Sequence, residues 1–92
     1  MYKNKNSDGS LNISGKRIFH LRKSLVPKTS QKGLADKLQL LGLDVDKNAI
    51  QRMESGQRFI TDIELKALAQ VLNTSADDLL GLTDRSDPHE LP

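Results

Sequence analysis

Apolar residues recur through the middle of the chain at helical intervals, punctuated by residues that start or stop helices. Ile18, Leu21 and Leu25 stand at i, i+3 and i+7, one side of a helix over about residues 15–25. Ser14 is its N-cap candidate, and Pro27 stops it. A second helix follows Ser30 as N-cap and runs to about residue 41, with Leu34, Leu38 and Leu41 lining one side and Ala35 beside them. Gly42 suits the position just past its end, where positive φ is needed. A third helix, over about residues 47–55, follows Asp46 as N-cap and ends at Gly56. Val45 and Ile50 occupy the two positions of a hydrophobic staple, and Met53 continues that buried side. Thr61-Asp62-Ile63-Glu64 fits a capping box heading a fourth helix, whose inner face is Leu65, Leu68, Ala69 and Leu72. Ser75 caps a short fifth helix, in which Asp77 and Asp78 suit the positive end and Leu79 and Leu80 pack inward.

This pattern, with few β-branched runs, predicts an all-α fold: a compact five-helix bundle. Residues 1–12 are polar and read as a flexible arm, residues 13–82 as the folded domain, and residues 83–92 as a polar tail or the start of a linker. Ninety-two residues make one domain at most. Tyr2, Phe19 and Phe59 are the only aromatic residues, so aliphatic side chains must fill the interior.

Composition removes several classes of function. There is no cysteine, which excludes disulfides and thiolate metal sites and fits a reducing cytoplasm. No apolar run approaches the roughly 20 residues needed to span a membrane, and the basic N-terminus is not followed by an apolar signal region. His20 and His89 read as a surface or packing histidine and a tail histidine, since no His, Cys, Asp and Glu cluster has zinc spacing. Asp77 and Asp78 read as a helix N-terminal pair and not as a cation site. No Ser-His-Asp set, Gly-rich phosphate loop or carboxylate dyad in an apolar setting is present. An enzyme, a cofactor, a small-molecule ligand and a membrane partner are therefore not expected.

Charge changes the picture more than composition does. The net charge of +2 hides an asymmetry. Residues 1–60 carry twelve Lys and Arg against five Asp and Glu, a net of +7. Residues 61–92 carry two against seven, a net of −5. A basic first part facing a polyanion is the simplest reading. The third helix sharpens it. Lys47, Asn48, Gln51 and Arg52 are donors, the first two in the opening turn. Asn and Gln can pair bidentately with adenine, and Lys or Arg with guanine, when a helix enters the major groove of DNA.

Several motifs now stand in order: Leu21-Arg22-Lys23, Ser30-Gln31, Leu34-Ala35, the run from Ile50 through Gln51-Arg52-Met53-Glu54-Ser55 to Gly56, Thr61-Asp62-Ile63-Glu64-Leu65, Leu68-Ala69 and Leu79-Leu80. In that order and spacing the chain resembles the Cro/CI-type (XRE-like) helix-turn-helix family of bacterial and phage transcriptional regulators. The resemblance implies a lambda-repressor-like DNA-binding domain and a sequence-specific regulator that reads double-stranded DNA as a homodimer, at least when bound. It implies base contacts from Lys47, Asn48, Gln51 and Arg52, and phosphate contacts from Gln31, Lys32, Ser55, Gln57 and Arg58. It also implies a partly buried ion pair between Arg22 and Glu54 that orients the reading helix. A second reading keeps the fold but makes it a protein-interaction module, antitoxin-like or anti-repressor-like.

Three features depart from the family pattern. Gly42 lies seven residues after Ala35 and Ile50 fifteen after it, so the second helix and the turn are lengthened. Gly33 stands where a Glu would complete a capping box, at a helix cost on the order of 1 kcal/mol relative to Ala. Val26-Pro27-Lys28 lengthens the first connection.

Overall fold

Most of the helices begin where a short oxygen-bearing side chain can accept from an otherwise unpaired backbone N–H. The computed structural model describes residues 5–82. In chain order the helices are α1 (Gly15–Ser24), α2 (Gln31–Leu40), α3 (Lys47–Ser55), α4 (Asp62–Val71) and α5 (Ala76–Leu79), and no strand occurs among the described residues. Ser30 Oγ accepts from the Gly33 N–H, Asp46 Oδ1 from Ala49 and Ser75 Oγ from Asp78. At α4 the box closes in both directions: Thr61 Oγ1 accepts from the Glu64 N–H at 3.2 Å, and Glu64 Oε1 from the Thr61 N–H at 3.0 Å.

The start of α1 differs from the expected cap. Ser14 makes no side-chain cap. Asn12 takes the role, its Oδ1 accepting from the N–H groups of Ser14 and Gly15 at 3.0 and 2.8 Å. The Ser14 hydroxyl is used elsewhere, donating to the Leu79 carbonyl at 2.7 Å inside the protein. A hydroxyl cannot cap its own helix while pointed at a segment 65 residues away.

The ends of α2 and α3 share one geometry. Gly42 and Gly56 have φ of 91° and 80°, which a glycine adopts without strain. The N–H of Leu43 then reaches Leu38 O and that of Gly42 reaches Gln39 O, while Gln57 and Gly56 repeat the pattern on Arg52 O and Met53 O. Leu41 does not join the buried side of α2. It lies past the last helical residue, where the chain is already turning, and stays half exposed beside the exposed Leu40.

The core is aliphatic. Ile18, Leu34, Leu38, Ile50, Met53, Leu68 and Leu79 are fully enclosed, with Ala35, Val45, Ala49 and Leu72 among the buried residues around them. Leu65 is half-buried against this cluster. Helix α2 packs on α3 and α4, α1 on α3, and α4 on α5. The lengthened connection between α2 and α3 is anchored by buried Val45, half-buried Leu43 and the Gln39 side chain, whose Nε2 donates to Val45 O at 2.8 Å. At Gly33 an added Cβ would lie 3.2 Å from the Thr29 methyl carbon, so the position is tight against a buried neighbour.

Part of the segment expected to be a flexible arm lies against the domain. A turn from Asn6 to Ser10 leads into Leu11, whose N–H donates to Gly56 O at 2.8 Å, and then to Asn12. The expected tail, residues 83–92 with His89, lies outside the described residues, as do residues 1–4 at the start of the arm.

Candidate nucleic-acid interface

Helix α3 has two unlike sides. Ala49, Ile50 and Met53 are buried against the other helices. Lys47, Asn48, Gln51, Arg52 and Ser55 are all exposed. Their spacing of one, three, one and three residues keeps them on one side of a 3.6-residue helix. Asp46 holds the first turn in place through its bond to Ala49, so Lys47 and Asn48 project from an ordered helix start.

Behind this row lies a buried polar cluster. Arg22 on α1 meets Glu54 on α3 in a two-pronged pair, Nε to Oε2 at 2.7 Å and Nη2 to Oε1 at 3.0 Å. Both side chains are nearly enclosed, at 8% and 5% exposure. The third prong of the guanidinium, Nη1, donates to Thr29 O at 3.0 Å, tying in the connection that precedes α2. Gln31 Nε2 donates to Glu54 Oε1 at 3.0 Å. The Phe19 ring lies 5.5 Å from the Arg22 guanidinium carbon and 5.1 Å from Lys23 Nζ. Helices α1, α2 and α3 thus converge on one carboxylate. The planar fork of Arg suits this role, because it satisfies a carboxylate with two parallel bonds and still has a donor left.

The expected phosphate-contacting residues divide into two groups. Lys32, Ser55 and Gln57 are exposed. Lys32 is paired with Asp36 at 3.2 Å, but both side chains are well exposed, and such a pair is worth at most about 1 kcal/mol. Gln31 and Arg58 are turned inward. Gln31 serves Glu54, and Arg58 forms its own fork on Glu64, Nη1 to Oε1 at 2.9 Å and Nη2 to Oε2 at 3.0 Å, with Nη1 also reaching Phe59 O. Glu64 therefore has two tasks, capping α4 and holding Arg58.

These contacts set the charge state of Glu64. Burial opposes its ionisation, but the Arg58 guanidinium and the Thr61 donors outweigh that and hold its carboxyl below the usual carboxylate range. A carboxyl depressed in the folded state stabilises the fold fully above its unfolded value of about 4.3, and that contribution is lost as pH falls through the lower folded value. Glu64→Gln is therefore expected to flatten the fall in urea midpoint between about pH 5 and pH 3. An unchanged slope in the variant would count against this role.

Five contacts at or near the site give no local signal in the chain. Asn12 is separated from the carbonyls it meets, Met53 O at 3.0 Å and Arg58 O at 2.8 Å, by more than forty residues. Arg17 reaches Asp78, and Ser14 reaches Leu79, across still longer stretches of sequence. The pairing of Arg58 with Glu64 joins a loop to a helix start. Asparagine's preference for helix caps could single out Asn12, but only for its acceptor and not for its donor.

Two packed helices joined by a turn, the second showing a continuous row of donors to solvent, define a helix-turn-helix domain. The comparison with known families agrees: the chain belongs to the helix-turn-helix family, whose model matches residues 28–79, more than half of the sequence. Family membership makes it a DNA-binding regulator at that coarse level. No curated protein and no solved structure matches the chain. Among the described residues no helix is long and apolar enough to cross a membrane, and no group of three or more His, Cys, Asp or Glu side chains is placed to hold a metal ion.

Proposed function

We propose that the protein is a sequence-specific transcriptional regulator that lays α3 in the major groove of double-stranded DNA. One observation carries the reading: Lys47, Asn48, Gln51 and Arg52 form an exposed row of donors on a helix whose other side is buried and whose last turn is clamped by Arg22. Asn48 and Gln51 can take adenine edges, and Lys47 and Arg52 guanine edges. Lys32, Ser55 and Gln57 flank the row where phosphates would pass, and the net +7 of residues 1–60 supplies affinity that does not depend on sequence. Such domains read two half-sites through paired protomers. The protein is accordingly a homodimer at least on DNA.

Selection of bound DNA from a random pool, followed by gel shift on the recovered site, tests this. A palindromic site and a steep fall in affinity with salt are expected. Replacing Asn48, Gln51 and Arg52 together with alanine should weaken binding to that site by about tenfold or more for each base pairing removed. Unmeasurable affinity at low salt, or no effect of the triple replacement, would overturn the assignment.

A second reading, a protein-interaction module of antitoxin-like or anti-repressor-like type, draws on a different face. Leu40, Leu41 and Val71 line an apolar groove with Lys37 and Gln70. A partner held there would bind with little dependence on salt, which separates the two readings in one titration.

A further inference from the structure

Asn12 lies outside the helix-turn-helix, before the first helix, yet it touches both the start of α1 and the end of α3. Its Oδ1 accepts from the N–H groups of Ser14 and Gly15. Its Nδ2 donates to Met53 O at 3.0 Å and to Arg58 O at 2.8 Å. Met53 O is one of the last four carbonyls of α3 and also accepts from the Gly56 N–H at 3.2 Å, so Asn12 adds a second donor to that helix end. Next to it in the chain, the Leu11 N–H donates to Gly56 O. The carboxamide thus uses its acceptor on α1 and its donor on α3 and the loop that follows.

We propose that Asn12 is a positioning residue for DNA reading: it fixes the tilt of α3, as Arg22 does through Glu54, so that the exposed row meets base edges in register. The proposal rests on the reading that α3 enters the groove. The geometry favours it for two reasons. First, Asn12 grips α3 at Met53, toward its C-terminal end, while Lys47 and Asn48 project from the other end, six and five residues away at about 1.5 Å per residue. A rotation about the gripped end is largest at the reading end. Second, base recognition depends on displacement far more than phosphate attraction does, because bidentate bonds are directional and the backbone charge is diffuse.

Asn12→Ser separates the two roles. A serine hydroxyl can still accept from the first-turn N–H groups of α1, but it is too short to reach Met53 O and Arg58 O. Affinity is measured by gel shift for the selected site and for an unrelated duplex, beside the wild type and beside Ser75→Ala, which removes the α5 cap without touching α3. Asn12→Ser is expected to lower the ratio of specific to non-specific affinity about tenfold. Ser75→Ala is expected to leave that ratio unchanged, since loss of folded fraction lowers both affinities alike. Should Asn12→Ser fail to fold, Asn12→Asp keeps the acceptor and removes the donor, with the same expected fall in ratio. If the wild type selects a site but both variants keep its ratio, the positioning role is wrong and the groove reading survives. If the wild type discriminates no site, both fall.

Discussion

Replacing Gly15 by alanine is expected to cost about 3 kcal/mol of stability, although alanine is the better helix former by about 1 kcal/mol. The reason is space. A Cβ built at Gly15 lies 2.3 Å from Met53 O and 2.9 Å from Glu54 O. Both are backbone atoms of α3, so neither can swing aside as the end of a side chain could. Either α1 must move off α3 or the last turn of α3 must distort, and the turn that would distort carries Glu54. The position is buried directly against the α3 backbone. Urea unfolding followed by circular dichroism measures the effect. A variant as stable as the wild type would show that the two helices are not held this closely.

The second large effect is expected at Arg22. Arg22→Ala leaves Glu54 enclosed with only the Gln31 amide among its former side-chain partners, and breaking one side of a buried pair costs about 3–5 kcal/mol. It also frees Thr29 O, which accepts from Arg22 in a buried setting. For a domain with about 5–15 kcal/mol in total, that loss is severe. Replacing both Arg22 and Glu54 by leucine should recover much of it, because neither charge is then left buried alone. The doubly substituted protein would fold, yet hold α3 without the Arg22 fork. Stability and DNA affinity are therefore expected to part company in it: the urea midpoint returns toward that of the wild type while site discrimination does not. A single Arg22→Ala variant within about 1 kcal/mol of the wild type would contradict this account of the pair.

Both effects show what the chain discloses and what it withholds. Helix positions are legible because caps and periodicity are local. Ser30, Asp46, Thr61 and Ser75 each bond a backbone donor three residues on, and Gly42 and Gly56 take the left-handed conformation just past their helices. The side of α3 left to solvent is legible for the same reason, since Ala49, Ile50 and Met53 define its opposite. Contacts between distant segments are not. Nothing in the spacing of Asn12, Arg17 or Gly15 tells that the first meets Met53 O, the second Asp78, or that the third must lack a side chain because α3 passes 2.3 Å from where it would be. Ser14 misleads because a residue of good capping chemistry, two positions after a better-placed Asn12, has its hydroxyl taken by Leu79 O. Leu41 misleads because a periodic pattern carries no notice that the helix has already ended. Arg58, basic and next to α3, looks available in the sequence; its fork on Glu64 is visible only once α4 is in place.

The bonds from Ser14 to Leu79 O and from Arg17 to Asp78 join the first helix to the last. During synthesis, which proceeds from the N-terminus at about 5–20 residues per second, the start of α1 waits through most of the domain for these partners. Helices α2 and α3 emerge from the ribosome ahead of α5, so they can pair before the closure that α5 supplies. Until residues 78 and 79 emerge, the domain stays open on that side, with the Ser14 hydroxyl still bonded to water.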